Sequence, residues 1–222
     1  MTNTDDFFPA GAGMAAGDHL CGFYRNDHER DAIVIPFIEE GLAEGASCTC
    51  VVDSCTPTQV LDRLAQDIDL APHLDAHHLE VLTADDTYLS RGTFLVEEML
   101  QFWESKGRAL WGDTVPEAPV RNLGDMSWAH RESVCFESLI SYEAEINRIM
   151  RDFPQINLCL YDLNRCSGEV VMDVLKTHPK ALLGGMVIDN PYYIDADELI
   201  SSQPSQASPA PEMADAQTAA GK

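Results

Sequence analysis

The stretch "HLCGFYRNDHERD" (residues 19–31) decides how this sequence is to be read. Its first half has the alternation of a strand, which puts His19, Cys21 and Phe23 on one face and Leu20 and Tyr24 on the other. Its second half opens a helix: Asn26 with Glu29 three residues on forms a capping box, and Val34, Phe37, Ile38 and Leu42 follow on one helical face, with Pro36 expected to kink it. In nucleotide-binding α/β sheets this junction carries G-x-x-x-x-G-K-[ST], whose backbone amides and lysine wrap the phosphates. Here no glycine follows Gly22, no lysine is present, and Asp27, Glu29 and Asp31 would repel a triphosphate. The junction predicts the scaffold of such a sheet without its phosphate cradle.

Outward from this stretch, apolar runs of strand length recur near 18–24, 46–52, 78–83, 119–126, 156–162 and 182–189, with helical patterns between them. Thr56-Pro57 starts a helix to about Ile68, and "GTFLVEEMLQFWESKG" (92–107) supplies another ending at Gly107. The longest helix is expected from Ser127 onward, carrying Trp128, Cys135, Leu139, Tyr142, Ile146 and Ile149 as a core stripe. A last helix, about Gly168 to Lys176, stops at "THP". Alternating strands and helices, with nearly unbroken apolar strands such as "INLCLY", imply an α/β fold: a doubly wound, mostly parallel sheet with helices on both faces. The domain is expected over 17–195, after a flexible segment 1–16. The Ala-, Ser-, Pro- and Gln-rich residues 196–222 read as a disordered tail.

With 222 residues, 45% of them hydrophobic, the chain is long enough for one sizeable core. Its formal net charge of -23 would repel nucleic acid and anionic membrane surfaces, so no direct nucleic-acid or membrane contact is expected. The acidic N-terminus lacks the basic residues of a signal peptide, and no stretch approaches the roughly 18 apolar residues of a membrane span, so a cytoplasmic location is expected. Seven cysteines spread through apparent core elements suit reduced, packed thiols. Cys48, Cys50 and Cys55 with His77 and His78 match no common zinc spacing, and neither metal nor cofactor is expected.

"FIEEGLAEGASCTCVVD" (37–53) is similar to the passage from the phosphate-loop helix into the second strand of KaiC-type and RecA-type ATPases. The blocks "HLCGFY", "PFIEEGL", "MSWA", "YEAEIN", "CLYD", "THP" and "NPYY", in that order over about 17–195, resemble the MEDS domain, a sensory domain of methanogen proteins and of the dichloromethane-response regulator of methylotrophs. The resemblance implies a RecA/KaiC-like core that senses a small organic ligand, a hydrocarbon derivative. It also implies coupling to a separate signalling protein, since such domains are usually joined to a DNA-binding helix-turn-helix or a histidine kinase module. Neither module is recognised here. The family's acidic residue before "MSW" is Asp125, a shortened side chain.

The candidate ligand-binding residues are His19, Cys21, Tyr24, Arg121, Asp125, Trp128, Glu143, Tyr161, Asp162 and His178. Tyr24, Asp125, Trp128 and Asp162, with Tyr161 before it, fall at or near strand carboxyl ends, where open α/β sheets place ligands. His19 has a plain alternative as a hydrogen-bonded core residue, and Trp128 as a residue packed on the sheet. Arg121, inside an apolar strand, needs a carboxylate, with Glu143 or Asp125 as the candidates, or an anionic ligand group. His178 is read first as a cap on the preceding helix end. No nucleophile elbow, H-E-x-x-H, dinucleotide fingerprint or paired-carboxylate site occurs, and Cys21 with His19 lacks an orienting third group, so no catalysis is expected. Two readings remain open: a ligand-sensing input domain, or a degenerate nucleotide-binding or adaptor protein acting through protein contacts.

Overall fold

The computed structural model describes residues 13–111 and 119–202. A seven-stranded sheet runs β3-β2-β4-β5-β1-β6-β7, built from β1 (His19–Tyr24), β2 (Ser47–Val52), β3 (Leu79–Thr83), β4 (Val120–Asp125), β5 (Ile156–Asp162), β6 (Lys180–Leu183) and β7 (Met186–Asp189). Strands β1 to β6 pair parallel and β7 antiparallel. The helices are α1 (Asp27–Ala43), α2 (Pro57–Leu64), α3 (Ala71–Asp75), α4 (Val96–Trp111), α5 (Phe136–Asp152), α6 (Gly168–Thr177) and α7 (Ala196–Ser202). This is the doubly wound α/β sheet that the alternation predicts.

The sheet has an apolar layer on each face. Leu20, Leu158 and Leu160 pack with Phe37 and Ile38 of α1 and Val60 and Leu64 of α2 on one side. Cys21, Cys159 and Tyr161 pack with Met99 and Trp103 of α4, Leu139 and Tyr142 of α5 and Val174 of α6 on the other. Every residue of β5 from Ile156 to Tyr161 is buried, as a central parallel strand covered on both faces requires.

Local chemistry sets most boundaries. Asn26 accepts from the Glu29 amide at 3.0 Å, Thr56 and Gln59 form a full capping box, and Ser167 caps α6. Helix α1 continues through Pro36. Five expectations differ, the first being α2, which ends at Leu64 and not near Ile68. The apolar run 182–189 is two strands, because Gly184 and Gly185, at φ 56° and 79°, close a hairpin between β6 and β7. Helix α4 starts at Val96 and passes Gly107, which is no terminator: Phe153 packs on it, 3.0 Å from where a Cβ would stand.

The helix expected from Ser127 is first a short 3-10 turn, Met126–His130, and α5 begins only at Phe136. Asp125 caps the turn through the Ser127 amide at 3.1 Å, and Arg131 leaves the helical path to pair with Asp53 and Asp85. Finally, residues 196–202 of the expected disordered tail form α7. Leu199 is buried beside Ile140 and Ala144 of α5, and Asp197 pairs with Arg148 and Arg151. The rest of that tail, 203–222, and most of the N-terminal segment, 1–12, lie outside the described residues. Leu199→Ala should lower stability by about 2 kcal/mol, read as a melting temperature reduced by roughly 4–8 °C, through lost burial at the α5–α7 contact.

Candidate functional site

The junction between β1 and α1 is two residues long, Arg25 and Asn26, and its helix start is already occupied. The Glu29 carboxylate accepts from the Arg25 amide at 2.8 Å and pairs with the Arg25 guanidinium, while Asn26 caps the Glu29 amide. Two of the amides at this junction, those of Arg25 and Glu29, are thus already satisfied by the protein's own side chains.

Two constellations take up the predicted residues, one on each face of the sheet. On the α1 face, the Asp125 carboxylate at the end of β4 accepts from the Asp53 amide at 3.1 Å, the Ser54 amide at 2.6 Å, the Ser127 amide at 3.1 Å and the Ser127 hydroxyl at 2.7 Å. The Tyr24 hydroxyl lies 2.9 Å from Ser127 Oγ and 3.4 Å from Asp125 Oδ1. Burial, and then the nearby Asp125 charge, push the Tyr24 phenol up to about 12, so it stays a donor. Asp125 thus ties the ends of β1, β2 and β4 together where a phosphate loop would otherwise sit.

On the opposite face, beneath α5, His19 of β1, Cys159 and Tyr161 of β5, Glu143 of α5 and His178 just past α6 converge in the core. The Tyr161 hydroxyl donates to Glu143 Oε1 at 2.8 Å. Around Glu143 Oε2 lie His19 Nε2 at 3.3 Å, His178 Nε2 at 3.7 Å and Cys159 Sγ at 3.7 Å, and Cys159 Sγ is 3.6 Å from His19 Nε2. The two imidazoles stand 4.1 Å apart between centroids. Burial opposes a charge on Glu143, but the His19 hydrogen bond, the nearby His178 and the Tyr161 hydroxyl outweigh it and keep its pKa below the usual carboxylate value. Burial first, then the closeness of His19, pushes His178 down to about 3, so the His178 ring is neutral. Burial and the Glu143 carboxylate hold the Cys159 thiol well above its usual range.

The other nitrogen of each imidazole is fixed. Asn147 spends its amide hydrogens on the Glu143 carbonyl at 3.1 Å and the Thr177 carbonyl at 2.8 Å, so its Oδ1 faces His19 Nδ1 at 3.1 Å as an acceptor. His178 Nδ1 donates to the Val174 carbonyl at 2.8 Å, the helix cap expected of it. His178 Nε2 therefore turns a lone pair toward Glu143, while His19 Nε2 either carries the hydrogen of its bond to Glu143 or turns a lone pair there for a cation.

The remaining candidates are placed differently. Arg121 pairs neither with Glu143 nor with Asp125: it points to the α1 face, where Glu44 Oε2 is 2.7 Å away, the Phe37 carbonyl 3.1 Å and Glu40 Oε2 3.8 Å. Glu143 lies across the sheet, and Asp125, four strand residues on, is about 13 Å along β4. Trp128 is fully buried and stacks on Tyr88 at 4.5 Å within an aromatic layer that includes Phe94 and Tyr142. Asp162 caps its own turn through the Asn164 amide at 2.9 Å. Cys21 stands beside Cys159 in register, with Sγ 3.8 Å from the Lys180 carbonyl, and burial raises its thiol to about 12. The sequence reading missed Cys159, which looks like an ordinary packed thiol inside "INLCLY". The signal lay in the strand pairing, since Cys159 falls on the face that His19 and Cys21 share.

Fold and site together define a RecA-like α/β domain in which the phosphate loop is lost and a polar cluster is turned into the core. The chain belongs to the MEDS family: the model of that domain, described as "MEthanogen/methylotroph, DcmR Sensory domain", matches residues 18–179. A curated relative, the transcriptional repressor DcmR of Methylorubrum extorquens (strain DSM 6343 / CIP 106787 / DM4), is 26% identical over 183 residues, covering 76% of this chain and 61% of the repressor. Two crystal structures share the fold. The flagellar accessory protein FlaH from Methanocaldococcus jannaschii has a TM-score of 0.53 at 11% identity, over 81% of this chain and 78% of its own. PH0321 from Pyrococcus horikoshii, crystallised with an unknown peptide, has a TM-score of 0.57 at 13% identity, over 78% of this chain and 82% of its own. No helix among the described residues is long and apolar enough to cross a membrane.

Asp125→Ala should lower unfolding free energy by about 1–3 kcal/mol in urea titration, because it removes the acceptor of the buried Ser127 amide and hydroxyl and of the part-buried Asp53 and Ser54 amides. Asp125→Asn, which keeps one acceptor, should cost less.

Proposed function

We propose that this domain is the input of a cytoplasmic regulatory system: it binds a small organic molecule, such as a hydrocarbon derivative, and passes the occupied state to a separate histidine kinase or transcription regulator. The observation that carries this reading is the indole nitrogen of Trp103, buried without a hydrogen-bond partner in a residue that walls a cavity of about 20 Å³. Tyr88, Gly124, Tyr142, Glu143 and Cys159 also line that cavity. Tyr88 further borders a pocket of about 170 Å³ with Asp86, Arg91 and Phe102, beyond the carboxyl end of β3. The 20 Å³ space admits one water-sized acceptor group, which would relieve the cost of the stranded N–H, and Tyr88 joins its wall to the 170 Å³ pocket, which has room for the apolar body of a small guest.

Membership in a sensory family supports the regulatory role, and the DcmR relative supports transcription as the output. The net charge of -23 argues that DNA contact belongs to a partner. The adaptor reading draws on the carboxyl edge, where Tyr24, Asp125, Ser127 and Trp128 are all buried. No catalysis is proposed: the two-residue junction offers neither a lysine nor a glycine-rich loop for phosphoryl transfer, and ATP turnover should not exceed a blank.

Small halogenated and methylated compounds, alcohols and amines should be screened by thermal shift. A true ligand at a hundredfold excess over its Kd adds about 2.7 kcal/mol of stability. Gly124→Ala, whose Cβ would stand 3.0 Å from Tyr88 Oη and 3.2 Å from Met126 Sδ, should abolish the shift while the protein stays folded. A shift that survives both Gly124→Ala and Trp103→Phe places the ligand elsewhere, and no shift with any compound favours the adaptor.

A further inference from the structure

We propose that His19, Glu143, Cys159 and His178 form a four-coordinate site for one divalent transition-metal ion of the zinc type. One ligand atom from each residue lies within 4.8 Å of all the others, the one such group found among the described residues. The inference rests on the cluster's geometry and is independent of the ligand reading.

The spacings favour a metal over direct hydrogen bonding. A tetrahedral zinc ion with bonds of about 2.0–2.1 Å to nitrogen or oxygen and about 2.3 Å to sulfur separates its N and O ligands by about 3.3 Å, and sulfur from either by about 3.6 Å. The cluster shows 3.3 Å for His19 to Glu143, 3.7 Å for His178 to Glu143, 3.7 Å for Cys159 to Glu143 and 3.6 Å for Cys159 to His19, and the two remaining pairs, His178 with His19 and with Cys159, lie within 4.8 Å. A charge-assisted hydrogen bond between nitrogen and carboxylate would instead close to about 2.7–2.9 Å. His178 Nε2 is fully buried and has no hydrogen-bond partner, so one donor already faces the centre unspent.

The surroundings are those a metal centre needs. Each imidazole has its Nδ1 held, by Asn147 Oδ1 at 3.1 Å for His19 and by the Val174 carbonyl at 2.8 Å for His178, which presents Nε2 as the ligand atom. Tyr161 fixes the free Glu143 oxygen at 2.8 Å. Two neutral imidazoles, a carboxylate and a thiolate sum to two negative charges, which one divalent cation cancels in a site closed to water. On binding, the Cys159 thiol releases its proton to solvent as the S–metal bond forms. Two nitrogens, one sulfur and one oxygen make a borderline donor set that suits zinc, and cobalt as its substitute, rather than magnesium or calcium. Four protein ligands fill the coordination shell, so the ion would be structural.

The test uses the full chain, purified without a metal-chelating column. Elemental analysis should find about one zinc per chain. After exchange with cobalt, the protein should show the intense visible bands of a tetrahedral ion and a near-ultraviolet thiolate-to-cobalt band. Cys159→Ser should remove the thiolate band, and Cys135→Ser, at an exposed cysteine, should leave it. Should Cys159→Ser fail to fold, X-ray absorption at the zinc edge of the unmutated protein gives the same readout: one sulfur at about 2.3 Å beside nitrogen and oxygen ligands. Folded protein that contains no metal and takes up neither zinc nor cobalt overturns the proposal, and the cluster is then a His19–Glu143 pair bridged by a proton. A thiolate band that persists in Cys159→Ser, or a zinc edge with no sulfur or several, overturns it as well.

Discussion

The Glu143 carboxylate is the constraint around which this domain is organised. It is fully buried under the sheet, and an ionised carboxylate there is tolerable only if every element around it answers the charge. The answers come from three places in the chain: His19 from the first strand, Cys159 and Tyr161 from the central strand and His178 from the end of α6, with Asn147, one turn along α5, holding His19 Nδ1. Together they fix how α5 and α6 sit on the sheet. A hydrophobic residue at 143 would need none of these partners, which is the cost this buried charge imposes on the sequence.

The two faces of the sheet divide the labour. Where an active ATPase would hold phosphate, this chain spends its amides on Glu29, Asn26 and Asp125, and the edge becomes a strut joining β1, β2 and β4. The opposite face holds the polar cluster, the aromatic layer and the small cavity. The scaffold of a nucleotide-binding fold is retained, while its distinctive chemistry lies between the sheet and α4, α5 and α6.

The sequence made the sheet legible because its strands are continuous apolar runs and its helices carry caps in their own first turns. It also put His19 and Cys21 on one strand face, and it gave His178 its capping role. The start of α5 was hidden because the three-to-four spacing from Trp128 runs on without a break. What stops the helix is tertiary, the pairing of Arg131 with Asp53 and Asp85. Helix α7 was hidden because Ala196–Ser202 lies in a stretch poor in apolar residues, and only the α5 surface makes Leu199 worth burying. The cluster has no spacing motif, since positions 19, 143, 159 and 178 meet only through parallel pairing of β1 with β5 and the return of α6 to β6. Arg121 pairs with neither expected partner for two reasons: its strand turns it to the α1 face, away from Glu143, and Asp125, on that same face, stands about 13 Å further along β4.

Helix α5 gives the buried cluster a mechanical connection to the surface. One side carries Tyr142, Glu143, Ile146 and Asn147 into the cavity and the cluster, while the other presents Ile140 and Ala144 to Leu199 of α7, with Arg148 and Arg151 reaching Asp197. The helix is held internally by its own ladder and moves as a rod more readily than it bends. A change in the distances around Glu143 must therefore either be absorbed by side chains in a close-packed core or shift the helix. The second outcome displaces α7, which is held to the domain by the buried Ala196 and Leu199, the partly buried Ile200 and the exposed ion pairs of Asp197 with Arg148 and Arg151.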